Sequence, residues 1–193
     1  MSAVKPNRLL RFVNQVNNSS VLPASFKGPI LSLAFNSNIK YAGTTGIAIR
    51  QWDESQVVVE LKNRWRVQNH LQGIHATAMA TLAESATGMC FGVHVPDSHL
   101  PVLKSMQVNF VKRAQGDLKA VAHITEEQKE QIRTTDKGAA VIQVQVTDEN
   151  GNEPIHCQME WAWTTKRRPA KPQSNTKSEK KEGGELEEER RAA

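Results

Sequence analysis

An alanine-rich stretch between Asn69 and Gly88 carries the polar residues with the strongest potential for chemistry. Asn69 and His75 stand at or before its beginning, and Glu84 lies inside it among small apolar residues. A carboxylate costs free energy to bury in such surroundings unless it has partners or a chemical role. In an active site, Glu84 would act on water as a general base or attack a substrate as a nucleophile, and the sequence leaves both routes open.

The same stretch predicts a helix of about three to four turns, because alanine has the best helix propensity and Gly88 suits a helix end. Unpaired N–H groups at the beginning of a helix stabilise negative charge on an attacked carbonyl oxygen. We therefore expect the backbone around His75 and Ala76 to supply an oxyanion site. Ala76 and Glu84 are about 12 Å apart along a helix axis, too far for one helix to bring both to one carbonyl. A two-fold dimer with antiparallel helices would bring Glu84 of one protomer to Asn69, His75 and Ala76 of the other.

The surrounding segments predict an α+β domain in which this helix lies against an antiparallel sheet. Apolar residues one turn apart predict a helix over 7–17, and a proline in a first turn predicts a second helix over 29–36. A charged segment predicts a short exposed helix over 126–133. Alternating apolar residues predict strands within 47–49, 57–61, 102–111, 118–124, 142–146 and 155–164.

Charge is distributed unevenly along the 193 residues, whose net charge is +5. From Lys166 to the C terminus there are nine Lys or Arg and six Glu, a net of +3, which leaves +2 for the rest. The segment 166–193 has almost no apolar residues, so we expect it to be disordered. Because the basic excess belongs largely to this tail, it is weak support for a nucleic-acid binder, and we expect no nucleic-acid partner.

The cysteines and the hydropathy of the chain argue against a zinc-binding, disulfide-rich or membrane-spanning protein. Cys90 and Cys157 are the only cysteines and are far apart in sequence, which predicts buried small side chains and neither a zinc site nor a disulfide framework. No stretch has the length and apolarity of a membrane span. The first 52 residues contain six Lys or Arg and no acid, as mitochondrial transit peptides do, but we favour ordinary helices of the domain. We expect a cytoplasmic protein, with the mitochondrion as the alternative.

Asn69, His75, Ala76 and Glu84, within this order of helices and strands, resemble the hotdog-fold acyl-CoA thioesterases of the phenylacetate-pathway type (PaaI-like) branch. The family motif places Asn six residues before His, a small residue after the His, and Asp or Glu nine residues after it, and this chain matches each spacing. The resemblance covers about residues 46–165. Within the branch, a largely uncharacterised sub-branch is similar in three segments, Arg8–Asp53, Thr125–Gln128 and Asp148–Gly151.

This resemblance implies a hotdog fold, in which a curved antiparallel sheet wraps around a long central helix, with extra N-terminal helices. It divides the chain into N-terminal helices (1–45), a hotdog thioesterase-like domain (46–165) and a charged tail (166–193). It implies a homodimer, with a tetramer as a further option, that hydrolyses an acyl-CoA or related thioester to an acid and a free thiol. No metal is implied, and no cofactor other than the coenzyme A of the substrate.

The resemblance also implies the roles of individual residues. The catalytic group is Asn69, His75 and Glu84. The group for oxyanion and substrate contacts is Gly73, Ala76 and Ser105. Apart from the resemblance, Lys104, Lys112 and Arg113 could meet the phosphates of coenzyme A, although basic residues near turns are usually only solvated.

Simpler alternatives exist for these roles. His75 could only cap the helix, and Asn69 could only tie down its loop. The family commonly has glycine at the position of Ala76, and alanine would weaken a site that needs positive φ or very close approach of the ligand. The main rival function is a non-catalytic hotdog module that binds an acyl group or a protein partner. An open tunnel at the dimer interface that ends at Glu84 would favour the enzyme, and a filled interface would favour the module.

Overall fold

The computed structural model describes residues 5–166, so the predicted tail lies outside the described residues from 167 onward. No helix between residues 5 and 166 is long and apolar enough to cross a membrane. A 3₁₀ helix covers Trp65–Val67. The helices are α1 (Arg8–Asn17), α2 (Ala24–Asn38), α3 (Lys40–Thr45), α4 (Ala76–Gly92) and α5 (Glu126–Thr134). The strands are β1 (Ala48–Trp52), β2 (Gln56–Leu61), β3 (His99–Phe110), β4 (Leu118–His123), β5 (Lys137–Asp148) and β6 (Ile155–Thr165).

Helix α4 is the centre of the domain. The six strands form one antiparallel sheet in the order β1-β2-β4-β5-β6-β3, so the chain passes through α4 on its way from β2 to the opposite edge. Because α4 contacts β2, β3, β4, β5 and β6, the sheet curves around the helix. The predicted α+β class and the wrapped central helix are therefore confirmed.

Small side chains allow the sheet to approach α4 closely. Leu82 and Ala83 are fully buried on its inner face. A Cβ at Gly88 would lie 2.8 Å from two ring carbons of Trp161, so only glycine lets this indole lie against the helix. The Nε1 of Trp161 also donates to Oγ1 of Thr87 at 3.0 Å, which fixes the ring by a buried hydrogen bond.

The N-terminal helices pack on the domain through specific polar contacts. Asn7, the N-cap of α1, donates from Nδ2 to the carbonyl oxygens of Gly92 at 2.8 Å and Val95 at 2.7 Å. The hydroxyl of Ser32 in α2 accepts from the main-chain N–H of Ile49 in β1 at 2.8 Å. Helix α1 is thus tied to the end of α4, and α2 is tied to the edge strand β1.

Helix α2 is longer than the sequence predicts, because it begins at Ala24 and has Pro29 in its interior. A Cβ at Gly28 would lie 2.7 Å from the carbonyl oxygen of Ile49, so α2 and β1 are in close backbone contact. This packing offsets the helical hydrogen bond that the proline removes. The domain boundary expected between residues 45 and 46 follows α3 and stays a prediction.

Helix α5 is less exposed than predicted. Thr125 and Gln128 form a reciprocal capping box at its beginning. Ile132 is fully buried, and Lys129 is 5% exposed with its ammonium 2.6 Å from the carboxylate of Glu126. The helix therefore contributes one apolar anchor to the core through a segment that is otherwise charged.

Candidate active site

His75 shapes the beginning of α4. Its Nδ1 accepts from the main-chain N–H of Thr77 at 3.2 Å and lies 2.8 Å from the hydroxyl of the same residue. The main-chain N–H of His75 donates to the carbonyl oxygen of Val67 at 2.8 Å. His75 is therefore the N-cap of the helix, and a direct catalytic role of its exposed imidazole stays a prediction.

Ala76 is the first residue of α4 and offers an unused donor. Its main-chain N–H has no hydrogen-bond partner within residues 5–166. Its φ is negative, because Gln72 is the only residue other than glycine with positive φ in this part of the chain. Alanine is therefore compatible with the backbone at this position. An N–H at the positive end of the helix dipole suits an oxygen that becomes negatively charged.

Asn69 organises the loop that precedes the helix. Its Oδ1 accepts from the N–H groups of Leu71 at 2.9 Å and Gly73 at 3.3 Å, and its own N–H donates to the carbonyl oxygen of Gly73 at 2.8 Å. Gln72 adopts a φ of 60° inside this turn. The side-chain carbonyl of Asn69 is thus used structurally. Its Nδ2 has no partner among residues 5–166 and is the atom that could contact a substrate.

Two cavities meet at Glu84 on α4. The first, here the rear cavity, has a volume of about 490 Å³ and is lined around Glu84 by Leu9, Phe12, Ala34, Phe35, Trp52 and Trp161, with the glycines of α4. The second, here the front groove, has a volume of about 450 Å³ and is lined around Glu84 by Tyr41, Thr77, Thr81, Leu103 and Met106. Glu84 therefore connects a space behind α4 to a groove that runs along the helix from its first turn.

The carboxylate of Glu84 is half-buried, and this burial raises its pKa above the ordinary value. The hydroxyl of Ser85 lies 3.5 Å from Oε2 and opposes the shift weakly. In the described part of the chain, no cation forms an ion pair with this carboxylate. A carboxylate with a raised pKa is a stronger base, which suits proton transfer from water near neutral pH.

Strand β3 places Ser105 beside the front groove. A bulge between Leu103 and Ser105 leaves Lys104 without a paired residue on β6. Leu103 and Met106 line the groove, whereas Ser105 is exposed and is not among the lining residues. The predicted contact of Ser105 with substrate therefore stays a prediction.

The three basic residues proposed for coenzyme A are exposed and lie in different surroundings. Lys104 forms an ion pair with Glu160 at 2.9 Å. Arg113 donates from Nη2 to the carbonyl oxygen of Leu71 at 2.9 Å, which joins it to the loop of Asn69. Lys112 precedes Arg113 directly. Nζ of Lys112 lies 3.5 Å from Oδ1 of Asn152, so Arg113 is the one of the three that places positive charge beside the loop that precedes the helix.

Sequence reasoning missed two groups of lining residues. Thr77 and Thr81 are four residues apart and share the helix face of Glu84, a spacing that could have marked them. The apolar residues of α1 and α2 that line the rear cavity could not be predicted as lining residues. Their spacing indicates only that one face of each helix is apolar.

Neither cysteine is a candidate nucleophile. Burial raises the pKa of Cys90 to about 12 and the pKa of Cys157 to about 11. Both side chains are therefore neutral thiols near pH 7 and act as packing groups. Between residues 5 and 166, no three His, Cys, Asp or Glu side chains form a group that could hold a metal ion.

Comparisons with known proteins identify a family and the fold. The model of a family described as a domain of unknown function (DUF4442) matches residues 28–163. No curated protein sequence matches the chain.

Solved structures with the same fold include proteins described as thioesterases. A Pseudomonas aeruginosa protein described as a probable thioesterase is 21% identical, with 75% of this chain and 97% of that chain covered and a TM-score of 0.65. A Haemophilus influenzae thioesterase is 14% identical, with coverage of 70% and 88% and a TM-score of 0.57. A thioesterase enzyme of Staphylococcus aureus, in a mutant form, is 16% identical, with coverage of 65% and 98% and a TM-score of 0.54. At these identities the likeness shows the fold alone, and the predicted hotdog fold is confirmed.

Proposed function

The chain belongs to the family described as a domain of unknown function (DUF4442), and we propose that it is a thioesterase that hydrolyses acyl-coenzyme A to a carboxylic acid and free coenzyme A. The observation that carries the proposal is Glu84, a half-buried carboxylate with a raised pKa where the rear cavity and the front groove meet. The unused N–H of Ala76 is the second component. An apolar acyl group offers no partner to a half-buried carboxylate, so the position of Glu84 favours the enzyme over a module that only binds.

Glu84 activates the attacking group in this proposal. As a general base, its carboxylate takes a proton from water while the water oxygen attacks the thioester carbonyl carbon. The N–H of Ala76 donates to the carbonyl oxygen as that oxygen becomes negative. When the tetrahedral intermediate collapses, the C–S bond breaks and the leaving thiolate takes the proton from the Glu84 carboxyl group.

A nucleophilic route uses the same two residues. The Glu84 carboxylate attacks the carbonyl carbon, the C–S bond breaks, and the thiolate leaves with a proton from solvent. Water then hydrolyses the mixed anhydride, which releases the acid and restores the Glu84 carboxylate. Both routes need an ionised Glu84 and a donor at the carbonyl oxygen.

A two-fold dimer completes the proposed site, because Ala76 and Glu84 are about 12 Å apart along one helix axis. Strand β3 lies at the sheet edge and pairs only with β6 in the described chain. An apolar edge strand is a template for pairing with another chain. Pairing of two β3 strands would lay two α4 helices antiparallel. Four large apolar side chains are exposed on β3: Leu100 (48%), Val102 (41%), Met106 (50%) and Phe110 (53%).

The loop that precedes the helix would bind the coenzyme A side of the substrate. Asn69 would orient the thioester or a water molecule through Nδ2, and the compact turn at Gly73 would leave room for the ligand. Arg113, a cation held close to this loop, would meet the phosphates, with Lys112 beside it in the sequence as a further cation. Lys104 would act in the same way from β3, at the cost of its ion pair with Glu160.

Substitution of Glu84 tests the proposed function. The release of free thiol from a panel of acyl-coenzyme A thioesters is measured for the wild type and for Glu84→Gln, which keeps the size of the side chain. Loss of the base or nucleophile is expected to lower kcat by about 10² to 10⁴. The matched control Glu130→Gln, on the exposed side of α5, is expected to keep the wild-type rate. Equal rates in wild type and Glu84→Gln would overturn the assignment.

A further inference from the structure

We propose that the rear cavity holds the hydrocarbon chain of the substrate, so that the preferred substrates are thioesters of long, apolar acyl groups. This inference rests on the proposed hydrolysis at Glu84. It concerns a space that is formed largely by the N-terminal helices of this chain. Leu9 and Phe12 of α1 and Ala34 and Phe35 of α2 form its walls, and α4 forms its floor.

The size of the cavity indicates a ligand larger than one ring. An apolar cavity of about 150 Å³ is enough to hold benzene. The rear cavity, at about 490 Å³, is roughly three times as large. Its volume falls in the range of pockets that enclose most of a medium-sized organic ligand. A short acyl group or a single phenyl ring would leave most of the space empty.

The chemistry of the lining excludes polar acyl groups. The polar side chains that line the cavity are Glu84, Ser85 and Asn38, and none of the lining residues is basic. A second carboxylate on the acyl group would therefore be buried without a cationic partner, which is costly. Trp52 and Trp161 present aromatic surface to the cavity, which suits contact with methylene groups. An uncharged hydrocarbon is the ligand that this lining stabilises.

Open space is kept along one face of α4. Glu84, Gly88 and Gly92 are spaced four residues apart, so they line up on the helix and all line the cavity. A Cβ at Gly92 would meet the nearest atom of Leu9 at 3.6 Å, an ordinary contact. Packing therefore does not require glycine at Gly92, and its absent side chain enlarges the cavity instead.

The position of Glu84 sets the direction of the substrate. A thioester with its carbonyl at Glu84 can extend its acyl chain only into the rear cavity or the front groove, because Glu84 lines both. The front groove runs along α4 from Glu84 to Thr77. In the proposed dimer, the helix start of the second protomer and its preceding loop would meet Glu84 at this groove, which suits the coenzyme A part. The rear cavity remains for the acyl chain.

Binding of S-alkyl-coenzyme A thioethers tests the inference without hydrolysis, because these compounds have no thioester carbonyl group. Calorimetry with wild-type protein is expected to show affinity rising about fourfold per methylene until the cavity is filled. Tryptophan fluorescence is expected to change with the longer chains, since Trp52 and Trp161 line the cavity. Equal affinity for butyl and dodecyl thioethers would overturn the inference.

A filled cavity provides the second test. Ala34→Phe on α2 is compared with Ala24→Phe, an exposed position on the same helix that does not line the cavity. The ratio of kcat/KM for dodecanoyl- to butyryl-coenzyme A is expected to fall roughly tenfold or more in Ala34→Phe and to stay at the wild-type value in Ala24→Phe. Gly92→Ala, which the contact distance allows, is expected to lower the same ratio by a smaller factor. Circular dichroism checks that each variant is folded, and an unchanged ratio in folded Ala34→Phe would contradict the acyl site.

These measurements separate the inference from the proposed function. If thioethers bind with the expected chain-length dependence but no thioester is hydrolysed, the acyl site stands and the thioesterase assignment falls. If short thioesters are hydrolysed at Glu84 and neither affinity nor rate depends on chain length, the function stands and the acyl site falls.

Discussion

The main-chain N–H of His75 donates to the carbonyl oxygen of Val67 at 2.8 Å, which makes Ala76 the first residue of α4 with an unused N–H. Thr77, the next residue, donates its N–H to the imidazole of His75 at 3.2 Å. Of the first three N–H groups of α4, that of Thr77 is therefore capped, whereas those of Ala76 and Ala78 have no hydrogen-bond partner within residues 5–166. Ala76 is the one of these two that lies at the very first position of the helix, so its N–H is the atom that a test of the oxyanion site removes first.

Ala76→Pro removes that N–H and little else. Proline is well tolerated as the first residue of a helix, and His75 before it already has the extended backbone (φ −65°, ψ 144°) that a following proline favours. We expect kcat to fall by about 10² to 10³, as for loss of one oxyanion donor. Steady-state kinetics and circular dichroism measure this. Ala76→Gly keeps the N–H and is the control, and a fully active, folded Ala76→Pro would exclude this donor.

Mixing of two inactive variants tests whether one site uses two chains. Dimers of Ala76→Pro and of Glu84→Gln are combined under conditions that exchange subunits. If Ala76 and Glu84 of different chains share a site, half of the dimers are mixed and each has one intact site, so about a quarter of the wild-type activity returns. Light scattering verifies the dimer. If both residues of a site come from one chain, no activity returns.

The pH dependence of hydrolysis is expected to report the ionisation of Glu84. Burial raises the pKa of this carboxylate in the folded protein, and the reaction needs the ionised form. The acidic limb of kcat/KM is therefore expected above the ordinary carboxyl range, which is centred near about pH 4.3. An acidic limb below that range would show that another group controls the rate.

The same shift predicts that ionised Glu84 destabilises the fold. Its pKa is raised in the folded state, so the stability associated with the protonated carboxyl is present below the unfolded pKa and is lost as the pH rises through the folded pKa. Glu84→Gln does not ionise, so its free energy of unfolding relative to wild type is expected to increase between about pH 4 and neutral pH. Urea unfolding at both pH values measures the difference. A pH-independent difference would mean that the folded pKa is ordinary.

Asn7 is expected to stabilise the fold in two ways, through the hydrogen bonds that its Nδ2 donates and through the capping of α1 by its Oδ1. Asn7→Ala removes the cap of α1 and leaves the carbonyl oxygens of Gly92 and Val95 without their donor, a loss of about 2–4 kcal/mol in the free energy of unfolding. Asn7→Asp keeps a good capping oxygen but replaces the Nδ2 donor by an oxygen. We therefore expect Asn7→Asp to be destabilised as well. Wild-type stability in Asn7→Asp would show that only the cap matters.

The elements of the domain were predictable where one face of a segment is buried. In β6, Met159, Trp161 and Trp163 alternate with more exposed residues, and the strand was predicted over nearly its full length. The interior position of Pro29 in α2 was not predictable, because the close approach of Gly28 to Ile49 is a tertiary contact. Local sequence preference and packing disagree there, and packing decides the helix.

The candidate site was predictable only in part. Motif spacing marked Glu84 and His75, and the structure adds that Glu84 is half-buried and that His75 caps the helix. The motif spacing does not show that Oδ1 of Asn69 is used by its own loop, nor that Gln72 in this loop has a positive φ. The rear cavity was not predictable, since it lies between α1, α2 and residues as distant as Trp161.

The cavity that α1 and α2 leave against α4 has a consequence for how such a protein diversifies. The proposed chemistry resides in one helix and the loop before it, whereas α1 and α2 contribute Leu9, Phe12, Ala34 and Phe35 to the walls that would enclose the acyl chain. Substitutions in those two helices can alter the depth of the cavity while the helix start and Glu84 stay unchanged. Acyl-chain selectivity and catalysis then depend on different segments of the chain. A change of preferred acyl group therefore requires no change in the reacting groups.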